Sequence, residues 1–270
     1  MDITKVKLGT DPELFIANDT EVISAEGLIG GTKKSPKFIT DEGHAVQEDN
    51  VMVEFNTPPC SSADEFTKEI NVVLTYLEAT LGLQNLRLHY SASEVLDPKY
   101  LQTKQAQEFG CEPDFNAYLR CANTPPEASS TLRTAGGHIH VGYPNTGDVG
   151  QVEDIVRAMD LFLGLPSIIM DEDNRRKTMY GKAGAFRFKD YGLEYRTLSN
   201  FWIYTDELKA WAFNSTIAAI KFVSNTDNRE KLYSMGDKIQ TAINNNDKYL
   251  AIDLMANVAE IKRINLKEKV

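Results

Sequence analysis

The residues best suited to chemistry lie between Arg175 and Trp202. Five basic side chains are grouped there around glycines, which let the backbone approach a ligand closely: Arg175, Arg176, Lys177, Lys182 and Arg187. Glu194 and Arg196 follow two residues apart, so in a strand they share one face. Fixed cations beside a carboxylate suit a site that binds polyphosphate together with a divalent ion. A salt-bridged surface strand would explain this stretch equally well.

A pair of acids, Asp11 and Glu13, lies on a predicted strand over residues 6–16. The two are separated by Pro12, which restricts this segment to an edge strand, a strand start or a bulge. In extended chain both carboxylates face the same side, as a site for a hard cation requires. The alternative is a solvated edge strand.

A second acidic strand is predicted over residues 51–56. Strict alternation places Glu54 on one face with Glu48, Asn50 and Met52. Glu54 has apolar neighbours, which is awkward for a surface residue and easier for a ligand. Glu48 and Asp49 are both candidates for a second acid beside Glu54.

Two of the four histidines, His138 and His140, follow a Gly-Gly pair and share a strand face. Neutral imidazole is a common metal ligand, although each histidine could also be structural.

The composition is that of an ordinary globular protein, 42% apolar and 25% charged. Acids outnumber bases 39 to 29, and the net charge of −10 argues against a surface that binds duplex nucleic acid. Three scattered cysteines without a C-x-x-C pair argue against a zinc knuckle or a disulfide framework. No apolar run approaches the ~20 residues of a membrane helix. We therefore expect a cytoplasmic protein that binds neither nucleic acid nor membranes.

The remaining patterns predict the elements that position these residues. A capping box at residues 62–65 begins a helix that Gly82 ends, and further helices are predicted over 152–163, 205–223, 227–243 and 247–263. The helix over 152–163 should stop near Gly164-Leu165-Pro166. Residues 27–36 are interpreted as a connecting loop, and residues 95–132 as irregular structure. Strands joined partly by hairpins and partly by helices indicate an α+β fold with a mainly antiparallel sheet.

Four distant segments thus each place ligand-type residues on one strand face. The simplest joint explanation is one curved sheet whose concave side binds two or more divalent cations. Carboxylates with at most one histidine favour Mg²⁺ or Mn²⁺ over structural zinc.

The order of these motifs resembles the glutamine synthetase-like carboxylate–amine ligases, and most of all the phage and bacterial COOH-NH2 ligase (amidoligase) group related to glutamate–cysteine ligases. The resembling segments lie within residues 9–200: Gly9–Leu14, Val53–Pro58, Gly136–Gly142, Tyr180–Arg187 and Glu194–Arg196. The resemblance implies a single catalytic domain over residues 1–270, with residues 205–270 as a helical C-terminal part. It also implies helices packed on the face of the sheet opposite the metal and ATP.

The resemblance assigns roles residue by residue. It implies metal ligands at Asp11, Glu13, Glu48 (or Asp49), Glu54, His138 and Glu194. It implies nucleotide or phosphate contacts at His140, Arg176, Lys182, Arg187 and Arg196, with Arg187 and Arg196 as catalytic cations. At the first pair the sequence has Asp as its first acid and proline between the two acids.

The implied reaction is ATP-dependent amide formation through an acyl phosphate, with Mg²⁺ or Mn²⁺. The partners would be small-molecule or peptide carboxylates and amines, and the family implies a homo-oligomer whose neighbours complete the site. The loop 27–36 and residues 95–132 would select the substrates.

Three other interpretations remain open at this point. A guanidino phosphotransferase of the related fold also needs basic phosphate clamps, but not so many acids. A cupin-like oxidase uses His-x-His with a glutamate a few residues later, whereas here Val141-Gly142-Tyr143-Pro144 follows. A binding protein that kept the fold and lost activity is the third.

Overall fold

The computed structural model describes residues 2–107, 114–124, 131–144 and 146–261. Its strands in these ranges are β1 (Lys7–Thr10), β2 (Glu13–Ala17), β3 (Val22–Ile23), β4 (Lys37–Phe38), β5 (Ala45–Asp49), β6 (Met52–Asn56), β7 (Arg87–His89), β8 (Ser93–Val95), β9 (Phe115–Asn116), β10 (Cys121–Ala122), β11 (Leu132–Thr134), β12 (Ile139–Gly142), β13 (Ala185–Lys189) and β14 (Gly192–Tyr195). The α-helices are α1 (Ala63–Gly82), α2 (Lys104–Gln107), α3 (Val149–Met159), α4 (Leu165–Met170), α5 (Asp206–Val223), α6 (Thr226–Asn245) and α7 (Lys248–Ala256). Short 3₁₀ turns occupy Ile3–Lys5, Pro98–Leu101, Arg175–Thr178 and Asn200–Ile203.

Twelve of the described strands form two sheets that join through β1. The first sheet has the order β1-β12-β14-β13-β9-β10, and the second has the order β3-β2-β6-β5-β4 with β7 also paired to β2. Leu8 of β1 exchanges two backbone hydrogen bonds with Cys60, just beyond β6. Every pair of described strands is antiparallel, including the separate pair β8–β11. The result is a curled half-barrel, which confirms the predicted α+β class with a curved, mainly antiparallel sheet.

Apolar residues on one face of the first sheet pack against the helices. Ile139, Val141, Leu193, Tyr195 and Phe186 are all buried in the same core as the apolar side of α3. Because successive side chains of a strand alternate between faces, the intervening polar residues must point to the concave side. Helix packing therefore fixes which face is left for chemistry.

Helix α1 follows the predicted pattern. Its N-cap Ser62 accepts a hydrogen bond from the Glu65 amide, and the Glu65 carboxylate accepts one from the Ser61 amide at 2.6 Å. The buried positions recur at helical spacing: Phe66, Ile70, Val73, Leu74, Leu77 and Leu81. The helices predicted over 205–223 and 227–243 are confirmed as α5 and α6, while α7 ends at Ala256 and residues beyond 261 lie outside the described part of the chain.

The helix predicted to stop near Gly164 does not stop there, so that prediction is wrong. A π-helical turn over Asp160–Gly164 joins α3 directly to α4. The Leu165 amide bonds to the Asp160 carbonyl, five residues back, so the turn takes up the register change ahead of Pro166. Pro166 lies in the first turn of α4, where its missing N–H is tolerated. This turn directs Asp160 into the protein interior, where it is fully buried.

Among the described residues, we find no helix whose length and apolarity would let it cross a membrane. The part of residues 95–132 that the structure describes forms short elements between β8 and β11, while residues 108–113 and 125–130 lie outside the description.

Candidate active site

Three neighbouring strands align polar residues across the concave face of the first sheet. His140 of β12 is directly opposite Glu194 of β14, which is opposite Arg187 of β13. Gly9 of β1 is opposite His140 on the other side of β12. Since directly paired residues share a face, these side chains lie in one row.

The first cluster consists of Asp11, His138 and Glu194. One ligand atom from each lies within 4.8 Å of the others. His138 Nδ1 is 3.2 Å from Asp11 Oδ1 and 3.6 Å from Glu194 Oε1. The backbone here is fixed by Thr10, whose hydroxyl donates to the His138 carbonyl at 2.6 Å. Two carboxylates and an imidazole at this spacing form a set of ligands for one divalent ion.

Glu194 is fully buried and surrounded by cations. Lys189 Nζ lies 2.7 Å from its Oε2, Arg187 Nη1 lies 3.5 Å from its Oε1, and Arg196 pairs with the same Oε1. Burial and the charge of Asp11 oppose ionisation, but His138 and Arg196 outweigh them and lower the pKa of Glu194 to about 2. The carboxylate is therefore charged without a metal ion.

Asp11 lies between the two imidazoles. Its Oδ1 is 3.1 Å from His140 Nε2, while His140 Nδ1 is 2.6 Å from the Tyr191 hydroxyl, and the Tyr191 ring stacks on His140. Burial opposes ionisation of Asp11, yet His140 and His138 hold its pKa well below its usual range. Burial and Arg196 lower the pKa of His138, which favours the neutral ring that ligates metals.

The second cluster consists of Glu13, Asp49 and Glu54, again with ligand atoms within 4.8 Å of one another. Glu13 of β2 and Gln47 of β5 lie opposite Glu54 of β6, and the Gln47 amide donates to Glu54 Oε1 at 2.9 Å. Glu13 also accepts a hydrogen bond from the Gly136 amide at 2.6 Å. Burial, together with repulsion from Asp11, Asp49 and Glu13, raises the pKa of Glu54 well above its usual range.

The structure places Asp49, not Glu48, beside Glu54, which corrects the assignment of Glu48. A two-residue turn at Asn50 and Val51 separates β5 from β6, and Asn50 has a left-handed φ of 56°. This turn resets the alternation, so Asp49 faces Met52 while Glu48 faces Val53 on the other side. Instead of joining the cluster, the Glu48 carboxylate accepts hydrogen bonds from the amides of three loop residues: Gly27, Ile29 and Gly30.

The remaining predicted cations differ in their surroundings. Arg176 is buried and donates from Nη1 to the Thr197 carbonyl and from Nη2 to the Arg196 carbonyl, so it supports the backbone of the Glu-x-Arg segment. Burial lowers its pKa to about 10. Arg175 pairs with Asp173 at the surface. The half-buried Lys182 side chain makes no hydrogen bond or ion pair with the described residues.

Asp160 supports this site from behind and was not predicted from the sequence. Its carboxylate accepts hydrogen bonds from the Gly184 amide at 2.6 Å, the Tyr195 hydroxyl at 2.7 Å and the Thr197 hydroxyl at 3.1 Å. Gly184 has a φ of 76°, and a Cβ there would collide with the Tyr118 ring. Burial raises the pKa of Asp160 to about 6. Buried acids that fix two strands in this way carry no local sequence signal.

Two other cations near the clusters, Lys189 and Lys33, were not predicted as site residues from the sequence. Lys189 follows Arg187 by two residues on β13, so strand alternation alone could have identified it. Lys33, whose Nζ donates to Asp49 Oδ2 at 2.7 Å, comes from the loop 27–36, and its position depends on how that loop folds back.

The donor sets fit hard divalent ions. The first cluster offers two carboxylates and one imidazole, and the second offers three carboxylates. Oxygen-rich sets of this kind suit Mg²⁺ and Mn²⁺.

Comparison with solved structures places the fold. Apo GmaS without ligand is 12% identical with a TM-score of 0.52, and the match covers 96% of this chain and 65% of that one. This chain thus spans less than two thirds of the GmaS structure. A glutamine synthase homologue matches with 11% identity over 96% of this chain and 70% of that one, at a TM-score of 0.37. A bifunctional glutathione synthetase from Pasteurella multocida matches with 10% identity over 96% and 50% of the two chains, at a TM-score of 0.40.

Sequence comparison gives the family. No curated protein matches the chain. The model of the phage phiEco32-like COOH.NH2 ligase-type 2 family matches residues 130–269, a little over half of the sequence. This range contains His138, His140, the glycine-containing basic segment and Glu194-Tyr195-Arg196. The GmaS likeness shows a shared fold over nearly all of the chain. The chain therefore belongs to the phage phiEco32-like COOH.NH2 ligase-type 2 family, a family of carboxylate–amine ligases.

Proposed function

We propose that this protein is an ATP- and Mg²⁺- or Mn²⁺-dependent ligase that joins a carboxylate to an amine through an acyl phosphate. The observation that carries the proposal is a pair of clusters to which one short segment of the chain contributes a residue each. Asp11 contributes to the first and Glu13 to the second, and Arg187 and Lys189 of β13 lie beside the first. Two adjoining divalent sites beside fixed cations suit phosphoryl transfer.

The chemistry explains why such a site is needed. A free carboxylate is a poor electrophile, because oxide would have to leave when an amine attacks. Transfer of a phosphoryl group to the carboxylate provides a better leaving group, and amine attack then releases phosphate and forms the amide. Bound divalent ions would neutralise the charge on the phosphoryl oxygens during the transfer.

A pocket on the His140 side of the first cluster suits the nucleotide. It is lined by Lys5, Lys7, Asn56, Tyr143 and Tyr191, with His140 in its wall. Tyr143 is buried and its hydroxyl has no hydrogen-bond partner among the described residues. Aromatic and amide groups can bind a base and a ribose, while the lysines attract phosphate. His140 is also directly opposite Glu194, the carboxylate that Lys189 and Arg187 surround, so we assign the phosphates to this side of the first cluster.

A second pocket, on the other side, suits the carboxylate substrate. Its cationic lining residues include Arg133, Arg176 and Arg196, and it also contains Glu13 and His138. Because His138 belongs to this pocket and His140 to the other, Asp11 stands between them. A phosphoryl group passing from nucleotide to carboxylate would cross the two clusters. Arg187 and Arg196 are the cations we assign to charge stabilisation during that transfer.

The substrates we propose are small-molecule or peptide carboxylates and amines. We also propose that residues 1–270 act as one catalytic domain and that the enzyme assembles as a homo-oligomer. Neither nucleic acid nor a membrane is part of the proposed reaction.

Hydroxylamine provides a direct test, because it is a reactive amine that converts acyl phosphates into coloured ferric hydroxamates. Purified protein with ATP, Mg²⁺ and hydroxylamine should be screened against carboxylic acids, with hydroxamate and phosphate measured together. We expect equal amounts of both products with at least one acid. The variant Glu194→Gln should form neither, whereas Glu230→Gln, at an exposed position on α6, should react like the wild type.

Two results would contradict the proposal. Transfer of phosphate to a guanidino compound without amide formation would favour the phosphotransferase. The absence of any thermal stabilisation by Mg²⁺ and ATP, alone or together, would favour a binding protein, because ligands of the folded state must raise the melting temperature.

A further inference from the structure

The second cluster already has a cation in contact with it, and that cation belongs to the protein. Lys33 Nζ donates to Asp49 Oδ2 at 2.7 Å and lies in the pocket that Glu13 and Asp49 also line. Burial disfavours the ammonium, but the negative charges of Asp49, Glu54 and Glu13 outweigh it and raise the pKa of Lys33. A single positive charge therefore offsets part of the repulsion among three carboxylates.

The loop that contains Lys33 has a fixed base and an exposed tip. The Glu48 carboxylate binds the amides of Gly27, Ile29 and Gly30, and Gly31 has a φ of 81° with no room for a Cβ beside Val46 and Lys37. The tip, in contrast, is exposed from 32 to 35 and is closed by two reciprocal backbone hydrogen bonds between Thr32 and Ser35, each of 3.0 Å. A tip of this kind can move while the base stays in place.

The contact between Lys33 and Asp49 is easily replaced. The Lys33 side chain is 48% exposed, and half-exposed ion pairs contribute little to stability. The cations around Glu194 differ, because Arg187, Lys189 and Arg196 are held on or directly after the strands of the sheet. Only the second cluster thus has, among the described contacts, a partner cation on an exposed loop.

We propose that the Lys33 ammonium is a resident counter-ion of the second cluster, which a divalent ion displaces, and that the loop tip over residues 32–35 moves away with it. This inference rests on the metal sites of the proposed function. The displacement lowers the affinity of the second cluster for its divalent ion, because the ion must compete with the Lys33 ammonium. It also gives an order of events: the departure of Lys33 clears the pocket that we assign to the carboxylate substrate, so the ion binds before that substrate.

The test uses Mn²⁺ alone, with free Mn²⁺ measured by electron paramagnetic resonance. The matched pair of variants is Lys33→Met and Lys34→Met, which remove the same charge from neighbouring exposed positions of the loop. We expect two classes of Mn²⁺ site in the wild type. Lys33→Met should lower the dissociation constant of the weaker class by about fivefold, a change that corresponds to the free energy of a good exposed ion pair. Lys34→Met should leave this constant unchanged.

Amide hydrogen exchange provides a second readout that needs no substrate. Saturating Mn²⁺ should speed exchange at residues 32–35 in the wild type, and Lys33→Met should already exchange fast without the ion. Equal Mn²⁺ affinity in the two variants, or slower exchange at the tip with Mn²⁺, would overturn the inference and leave the proposed function intact. If the wild type and both variants bind no Mn²⁺ at all, the inference and the proposed metal sites fail together.

Discussion

The two acidic clusters use similar ligands in opposite electrostatic surroundings. Glu194 in the first is paired with three cations, and its pKa falls to about 2. Glu54 in the second lies among other carboxylates, and its pKa is raised well above the usual range. Both side chains are almost fully buried, so burial alone does not decide the sign. The neighbours decide it: cations favour the charged form of Glu194, whereas carboxylates oppose the ionisation of Glu54.

The largest expected effect is the loss of ATP turnover when a carboxylate of either cluster is replaced. Glu194→Gln and Glu54→Gln should each reduce ATP turnover by at least ~100-fold, because either change removes a ligand charge worth several kcal/mol in the transition state. Phosphate release under saturating Mg²⁺ and ATP measures this, with Glu230→Gln as the control. A variant that kept the wild-type rate would show that its cluster has no part in catalysis.

The same two substitutions should separate when stability is measured without metal. Glu194→Gln leaves buried cations without their counter-charge and should lower the free energy of unfolding by about 3 kcal/mol. At Glu54 the folded-state pKa is raised, so at pH 7 the charged form costs stability, and glutamine should raise the free energy of unfolding by up to about 1 kcal/mol. Urea unfolding in EDTA measures both. Equal losses would mean that the two environments are alike.

A smaller effect tests which acid completes the second cluster. Asp49→Asn should weaken the second class of Mn²⁺ site by about tenfold or more, since even outer-shell changes weaken metal binding by that much. Glu48→Gln should change it less than about twofold, because Glu48 binds loop amides instead of facing the cluster. The reverse result would restore the assignment made from strict strand alternation.

The smallest expected effect is a pH dependence of stability that comes from the burial of Asp160. Asp160 is fully buried, and its pKa is raised to about 6 by burial although hydroxyl and amide groups donate to it. Between pH 7 and 5 the folded state takes up a proton that the unfolded state does not. The free energy of unfolding should therefore rise by about 1 kcal/mol relative to Asp160→Asn as the pH falls through this interval. Thermal or urea unfolding of both proteins across the range measures the difference, and parallel curves would exclude the titration.

Strand alternation recovered much of the site because it is a local rule. His138, His140, Glu194 and Arg196 were expected on one face, and the structure brings all four around Asp11. The rule failed where the chain turns: it was carried through Asn50, whose left-handed backbone precedes a new strand, and so placed Glu48 on the face of Glu54, with Asp49 left as the other candidate. It also had no access to Lys33 or Asp160, which reach the site through a loop and a π-helical turn distant in sequence.

The helices show the same limit. Capping residues and helical spacing predicted α1, α5 and α6, because both signals are contained within the helix. Gly164 and Pro166 were interpreted as a stop, but tertiary packing overrides them. A Cβ at Gly164 would collide with Ile243 and lie close to the Tyr195 hydroxyl, so this glycine serves helix packing.

Asp11 and Pro12 form the link between β1 of one sheet and β2 of the other, which begins at Glu13. Two consecutive trans peptide units span at most about 7 Å between Cα atoms. The chain therefore limits the distance between the Cα atoms of Asp11 and Glu13, whatever angle the two sheets adopt. Proline, with its fixed φ, restricts the conformation of this link further. Bending of the half-barrel would therefore move the backbones of Asp11 and Glu13 together, one from each cluster.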